Sequence, residues 1–227
     1  MADRYTITVT NKSSNPQNYA LFNKEPQVTG TVQEKIWSNV FATKKAAPGQ
    51  QVTFEIINEY HAIVGQKQQN DSKTFSVTVA GTTPVTLGKE NDNGTVTPGT
   101  TLSMIVEDET PQFESDPLPS SSQPHAFEIR TGSFSNTKAK KEGYMIGLGP
   151  AKSGGAIAGP AATFIPEANS TYQIQPVNTY YVTFGSYTKG DLIDVVKIAT
   201  KTATVDFTKD SDYRINHTDS GALVIQV

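Results

Sequence analysis

Three histidines, His61, His125 and His217, are the side chains of this 227-residue chain best suited to exchange protons near neutral pH. They stand in three unrelated sequence contexts. Nucleophilic catalysis needs a nucleophile, a base and an orienting group within reach of one another. Serine and threonine are abundant, and no G-x-S-x-G elbow singles one out. No catalytic residue is therefore assigned, and the chain is read as not an enzyme. Metal binding wants clustered imidazoles or carboxylates. Glu107-Asp108-Glu109 and the Glu90/Asp92 pair could offer oxygens to calcium, but they lack EF-hand spacing and read as solvated loop acids. No metal site is assigned. Gly147-Leu148-Gly149 and Gly154-Gly155 look at first like phosphate loops. A P-loop needs G-K-[ST] at the start of a helix, whereas Lys152-Ser153 precedes Gly154, and the dinucleotide fingerprint lacks its third glycine. No nucleotide cofactor is expected.

What remains is the pairing of small and aromatic residues between Gly143 and Tyr187. Glycine lets backbone approach backbone or a ligand; aromatic rings supply flat walls. The candidate ligand-binding residues are Trp37, Tyr60, His61, Tyr144, Tyr172, Tyr180 and Phe184. A planar ligand stacked on such rings would gain about 25 cal/mol per Å² of apolar area removed from water. The competing reading is that the rings are core and the glycines join two tightly packed strands.

The elements that must position these residues are strands. Tyr5, Ile7 and Val9 alternate with polar residues, as do Val52, Phe54 and Ile56, and Phe75, Val77 and Val79. That period of two marks strands with one buried face. Asn58-Glu59 interrupts the second run, and Tyr60 to Gly65 resumes as a short apolar strand. Asp92-Asn93-Gly94 signals a tight turn. Asp191 to Ala199 fits either a helical face or a strand; its β-branched Ile193, Val195 and Val196 favour a strand. Lys138, Lys140 and Lys141 read as a solvated turn. The expected fold is all-β, antiparallel and sandwich-like, with many short strands and little helix. Residues 1–227 are expected to form a single β domain of two halves, 1–107 and 125–227. The Pro-, Ser- and acid-rich stretch 108–124 would connect them. Pro16-Gln17-Asn18-Tyr19 echoes Pro176-Val177-Asn178-Thr179-Tyr180, which suggests that the halves pack similar strands together.

Composition narrows the partners. A net charge of −3 with one short basic cluster argues against nucleic acid. The chain has no cysteine, which excludes disulfides, thiolate catalysis and cysteine zinc sites. N-x-S/T sequons start at Asn11, Asn93, Asn169 and Asn216; with no signal segment at MADRYTITVT they read as chance. No stretch approaches the ~18 apolar residues of a membrane span. A cytoplasmic location is expected.

At Asn18-Tyr19-Ala20-Leu21-Phe22, at Trp37-Ser38-Asn39-Val40-Phe41 and across Gly143–Phe184, the chain resembles the pink-coloured chromoproteins of the oyster-mushroom type, small cytosolic fungal proteins. The resemblance covers nearly the whole chain. It implies non-covalent binding of a planar aromatic pigment, an indolone-type chromophore, in a β-rich homodimer. It assigns no contacts; the candidates above come from residue types alone. The expected function is thus non-catalytic binding of a small planar ligand. The alternatives are a lectin-like carbohydrate-binding sandwich and a membrane-associating β protein.

Overall fold

A computed structural model describes residues 4–70, 74–114 and 123–226, without the side chains of residues 196, 197 and 199. The first half supplies β1 (Arg4–Asn11), β2 (Gln17–Asn23), β3 (Gln27–Thr29), β4 (Trp37–Asn39), β5 (Ala42–Ala46), β6 (Gln51–Gln69) and β7 (Phe75–Val85). Next come β8 (Lys89–Glu90), β9 (Val96–Thr97), β10 (Thr101–Glu107) and β11 (Thr110–Phe113). The second half supplies β12 (Phe127–Thr131), α1 (Asn136–Glu142), β13 (Tyr144–Ala151), β14 (Ala162–Phe164), β15 (Thr171–Gln175) and β16 (Thr179–Phe184). It ends with β17 (Leu192–Ile193), α2 (Val195–Ile198), β18 (Ala203–Asp206), β19 (Asp212–His217) and β20 (Leu223–Gln226).

The fold is all-β and sandwich-like, as the alternating patterns predict. The largest sheet runs β17-β4-β14-β13-β6-β1-β19-β20, with β7 also on β6; a second runs β11-β10-β12-β15-β3, and a third β18-β16-β2-β5. Pairing is antiparallel except for β1 with β19 and β10 with β12. Tyr5, Ile7 and Val9 all point into the core, as their spacing requires. One apolar cluster draws residues from all three sheets, among them Ile7, Leu21, Val64, Met104, Ile129, Leu148 and Val182. Each of the three sheets contains strands from both halves. The echoed segments do meet: β2 and β16 pair antiparallel, Tyr19 opposite Phe184 and Phe22 opposite Tyr181.

Every residue of β13 is buried. Its glycines explain how a strand can be covered on both sides. A methyl at Gly147 would run into the carbonyl oxygen of Ala162, and one at Gly149 into that of Gly159. These glycines serve backbone approach to backbone. The large sheet also curls. Ser76 forms an isolated bridge with Asp191, and Val77 N–H donates to Gly190 O at 3.0 Å, so β7 touches the far edge next to β17.

Four local expectations are corrected. Tyr60–Gly65 is not a separate strand: β6 runs unbroken for 19 residues. Its first part pairs with β1 and its second with β13 and β7. Asn58-Glu59 is the point where pairing jumps from Ile57 opposite Ala151 to Tyr60 opposite Pro150, a bulge on β6. Second, sheet structure does not stop at Glu107. β10 and β11 form a hairpin over Asp108 and Glu109, both with positive φ (45° and 63°). That is the two-residue turn geometry for which Asn-Gly is the usual signal, here built from acids. The Pro- and Ser-rich part of the connection, residues 115–122, lies outside the described residues. Third, the lysine cluster sits on α1, where Ser135 Oγ accepts from Lys138 N–H at 3.2 Å and left-handed Gly143 ends the helix. Fourth, Asp191–Ala199 is mostly not strand. Apart from the isolated bridge of Asp191 with Ser76, only Leu192–Ile193 pairs, with β4, before the short α2 and a 3-10 turn at Ala199–Lys201. There the β-branched preference yields to tertiary context.

Candidate ligand-binding cleft

The bulge at Asn58-Glu59 has a consequence for chemistry. An extra pair of residues bends a strand and re-aims its side chains. Asn58 and Tyr60 both reach a cleft of about 460 Å³. Leu87, His125, Gln175, Pro176, Val177, Asn178, Thr179, Asp206 and Thr208 complete its lining, with Thr179 paired to Asp206 across β16 and β18.

Tyr60 is the buried base of this cleft. Its hydroxyl is shared between Asn58 Oδ1 and Asn178 Oδ1, each at 3.1 Å. Burial pushes the phenol up to about 12, against a smaller opposite effect from a hydrogen bond with Tyr180. Tyr180 is fully buried, and its own phenol is raised well above 10, first by desolvation and then by its neighbours Tyr60 and Tyr5. The single Tyr60 proton is shared between the two asparagine carbonyls. Both Oδ1 atoms face the Tyr60 hydroxyl, so the Nδ2 donors point away from it. Neither Nδ2 has a protein partner among the described residues. Asp206 adds a carboxylate held below its usual range, chiefly by the Thr208 side chain and backbone N–H. His125 stands exposed at the rim in the left-handed region (φ 60°), with its N–H on Gly88 O at 2.7 Å. For a non-glycine residue that conformation costs about 1 kcal/mol or more, and such strain clusters at functional sites.

Among the seven sequence-predicted residues, only Tyr60 and Tyr180 come together at this cleft. Tyr180 lies behind its base, edge-on to Phe41 and Phe207. His61, the next residue on β6, is also buried; Gly155 O can only accept, so His61 Nε2–H donates to it at 2.9 Å. Tyr172 is a core tyrosine packed on Phe164, its hydroxyl donating to Thr31 O and accepting from Glu167 N–H. Tyr144 is buried edge-on to Phe134, with no hydrogen-bond partner for its oxygen among the described residues. Phe184 lies against the His217 ring, 4.1 Å between centroids. Trp37 is half-buried on β4, with Lys35 Nζ 3.8 Å and Lys67 Nζ 5.5 Å from its ring. The residues that sequence reasoning missed, Asn58, Gln175, Asn178, His125 and Asp206, carry no motif. Two signals did exist: the break at Asn58-Glu59 and the repeated Pro-x-Asn, legible only as an interruption and an echo.

The sequence profile of the RhiA family matches residues 2–226 of the chain. The chain belongs to the RhiA family. Nothing among curated proteins or solved structures matches it. Membership extends over both walls of the cleft, so in this RhiA-family chain the bulge, the Pro-x-Asn segment and Asp206 all lie within the matched region. No helix of the described residues is long and apolar enough to cross a membrane.

Proposed function

We propose that this RhiA-family protein is a non-catalytic binder of a small polyhydroxylated ligand, a saccharide in the first instance, held in the cleft above Tyr60. The observation that carries the reading is the orientation of Asn58 and Asn178. The Tyr60 hydroxyl sits 3.1 Å from both Oδ1 atoms and shares its one proton between them, and both amides line the cleft together with the Asp206 carboxylate. Preset donors next to an ionised acceptor suit vicinal hydroxyls, each of which both gives and takes a hydrogen bond. These groups hold their protons: amides do not titrate, and Tyr60 is raised to about 12. That favours binding over proton transfer. The rings of Tyr144, Tyr172 and Tyr180 are taken up by core packing, which is why the sugar reading is preferred to the flat pigment that the chromoprotein resemblance implies.

A glycan array followed by titration calorimetry tests this. A hit whose affinity drops at least about tenfold in Asn178→Ala, with the fold intact by circular dichroism, is the expected result. No glycan bound, or a hit indifferent to both Asn178→Ala and Tyr60→Phe, overturns it. Protein from its native source that carries visible absorbance, released on denaturation, would favour the pigment instead.

A further inference from the structure

A second cleft, of about 590 Å³, lies away from the first and has the opposite electrostatic character. Its sides bring together Lys44 from β5, Lys152 from the turn between β13 and β14, and Lys189 from the loop before β17. Half-buried Ala42 and Ala158 supply its apolar lining, over the buried rings of Phe41 and Phe54. None of the three lysines makes an ion pair among the described residues. Glu55 is the one carboxylate on the lining, so positive charge is in excess on a protein whose net charge is −3.

Two of the lysines, Lys44 and Lys189, have defined contacts. Lys44 Nζ donates to Thr53 O at 2.6 Å and lies 6.0 Å from the Phe54 ring centroid. Lys189 runs flat across Gly159: a methyl there would collide with Lys189 Cε and crowd Phe41 O. The turn carrying Lys152 and Ser153 is tied to the core by the buried His61, through Nε2–H to Gly155 O. The role that His61 lacks in the first cleft is thus anchoring one wall of the second.

The geometry points to a site for a small anionic amphiphile, a molecule with one carboxylate, sulfate or phosphate on an apolar body. The ammonium groups on the lining would meet the anion, and half-buried Ala42 and Ala158 with the lysine stems would take the apolar part. Like-charged side chains gathered around one cleft repel one another, and an anion relieves that repulsion.

Decanoate serves as the probe, with decanol as its neutral match, both titrated calorimetrically at low salt. Decanoate is expected to bind at least about tenfold more tightly than decanol. The triple variant Lys44→Gln, Lys152→Gln, Lys189→Gln is expected to weaken decanoate about tenfold, the combined size of a few partly exposed ion pairs. A charge-matched control, Lys12→Gln, Lys24→Gln, Lys201→Gln, should leave it unchanged, which separates local contacts from net charge. Gly159→Ala, which displaces the end of Lys189 and presses on Phe41 O, should weaken decanoate as well, with the fold checked by circular dichroism. Equal binding of decanoate and decanol, full affinity in the first triple variant, equal loss in the control, or no binding at all overturns the proposal. Binding to phosphatidylglycerol vesicles with none to free decanoate overturns it too, in favour of a membrane surface. Glycan binding is read separately on the same variants, so failure at one cleft leaves the other testable.

Discussion

At the scale of single residues, buried Tyr60 and His217 offer direct tests. Tyr60→Phe keeps the ring but removes a hydroxyl that serves two asparagines and Tyr180. The expected loss is about 1–2 kcal/mol in urea unfolding, the usual result of unpairing a buried group. His217 offers a sharper test. It is nearly fully buried, shares a 2.9 Å hydrogen bond with Tyr19, and burial lowers its pKa below 6.5. The unfolded chain therefore takes up this proton first. The stability tied to His217 is complete above pH 6.5 and falls as pH drops from there through the folded pKa. Urea midpoints at pH 7.5 and 5.5 should differ less in His217→Gln than in the parent; an unchanged difference would count against the assignment.

At the scale of elements, two turns and one strand decide the layout. Gly147→Ala forces a methyl into the Ala162 carbonyl and should lower stability by about 3 kcal/mol or prevent folding. Gly154→Ala meets open space but sits at φ 95°, so only backbone strain of about 1 kcal/mol is expected. Thermal melts of the pair distinguish crowding from conformation. At the β10–β11 hairpin, Asp108 and Glu109 occupy the positive-φ positions that Asn and Gly prefer. Changing Asp108-Glu109 to Asn-Gly should raise stability by about 0.5–1 kcal/mol. Part of that gain is offset, because Glu109 also pairs with Lys138 at 2.7 Å on the surface.

At the scale of the whole molecule, the two halves share their sheets. β6 lies between β1 and β13, β1 pairs with β19 from the far end of the chain, and β2 pairs with β16. A fragment ending at Glu107 would leave β6 without β13, and one starting at His125 would leave β19 without β1. Neither fragment is expected to fold alone, and the intact chain should unfold in one cooperative step because one apolar cluster spans the sheets. Native-like spectra from either isolated fragment would show the halves to be independent.

Much of this was written in local pattern. Strand identity was legible because a half-buried sheet imposes a period of two, and Tyr5-Ile7-Val9 has no other economical reading. The exclusion of phosphate loops was legible because those loops need fixed residues in fixed order. The cleft was not legible. Its base is a tyrosine among nine in the chain, and its walls come from residues 58, 125, 178 and 206, which meet only when β6, β16 and β18 are in place. Asn58 looks like a strand breaker until β13 shows that it is a bulge. The aromatic wealth between Gly143 and Tyr187 could equally line a pocket or fill a core, because burial by protein and burial by ligand ask for the same side chains. Sequence determined the class of fold and the chemistries excluded by missing residue types. Tertiary structure alone decided which rings became core and which amides were left facing a cleft, since that depends on long-range strand pairing that no local spacing encodes.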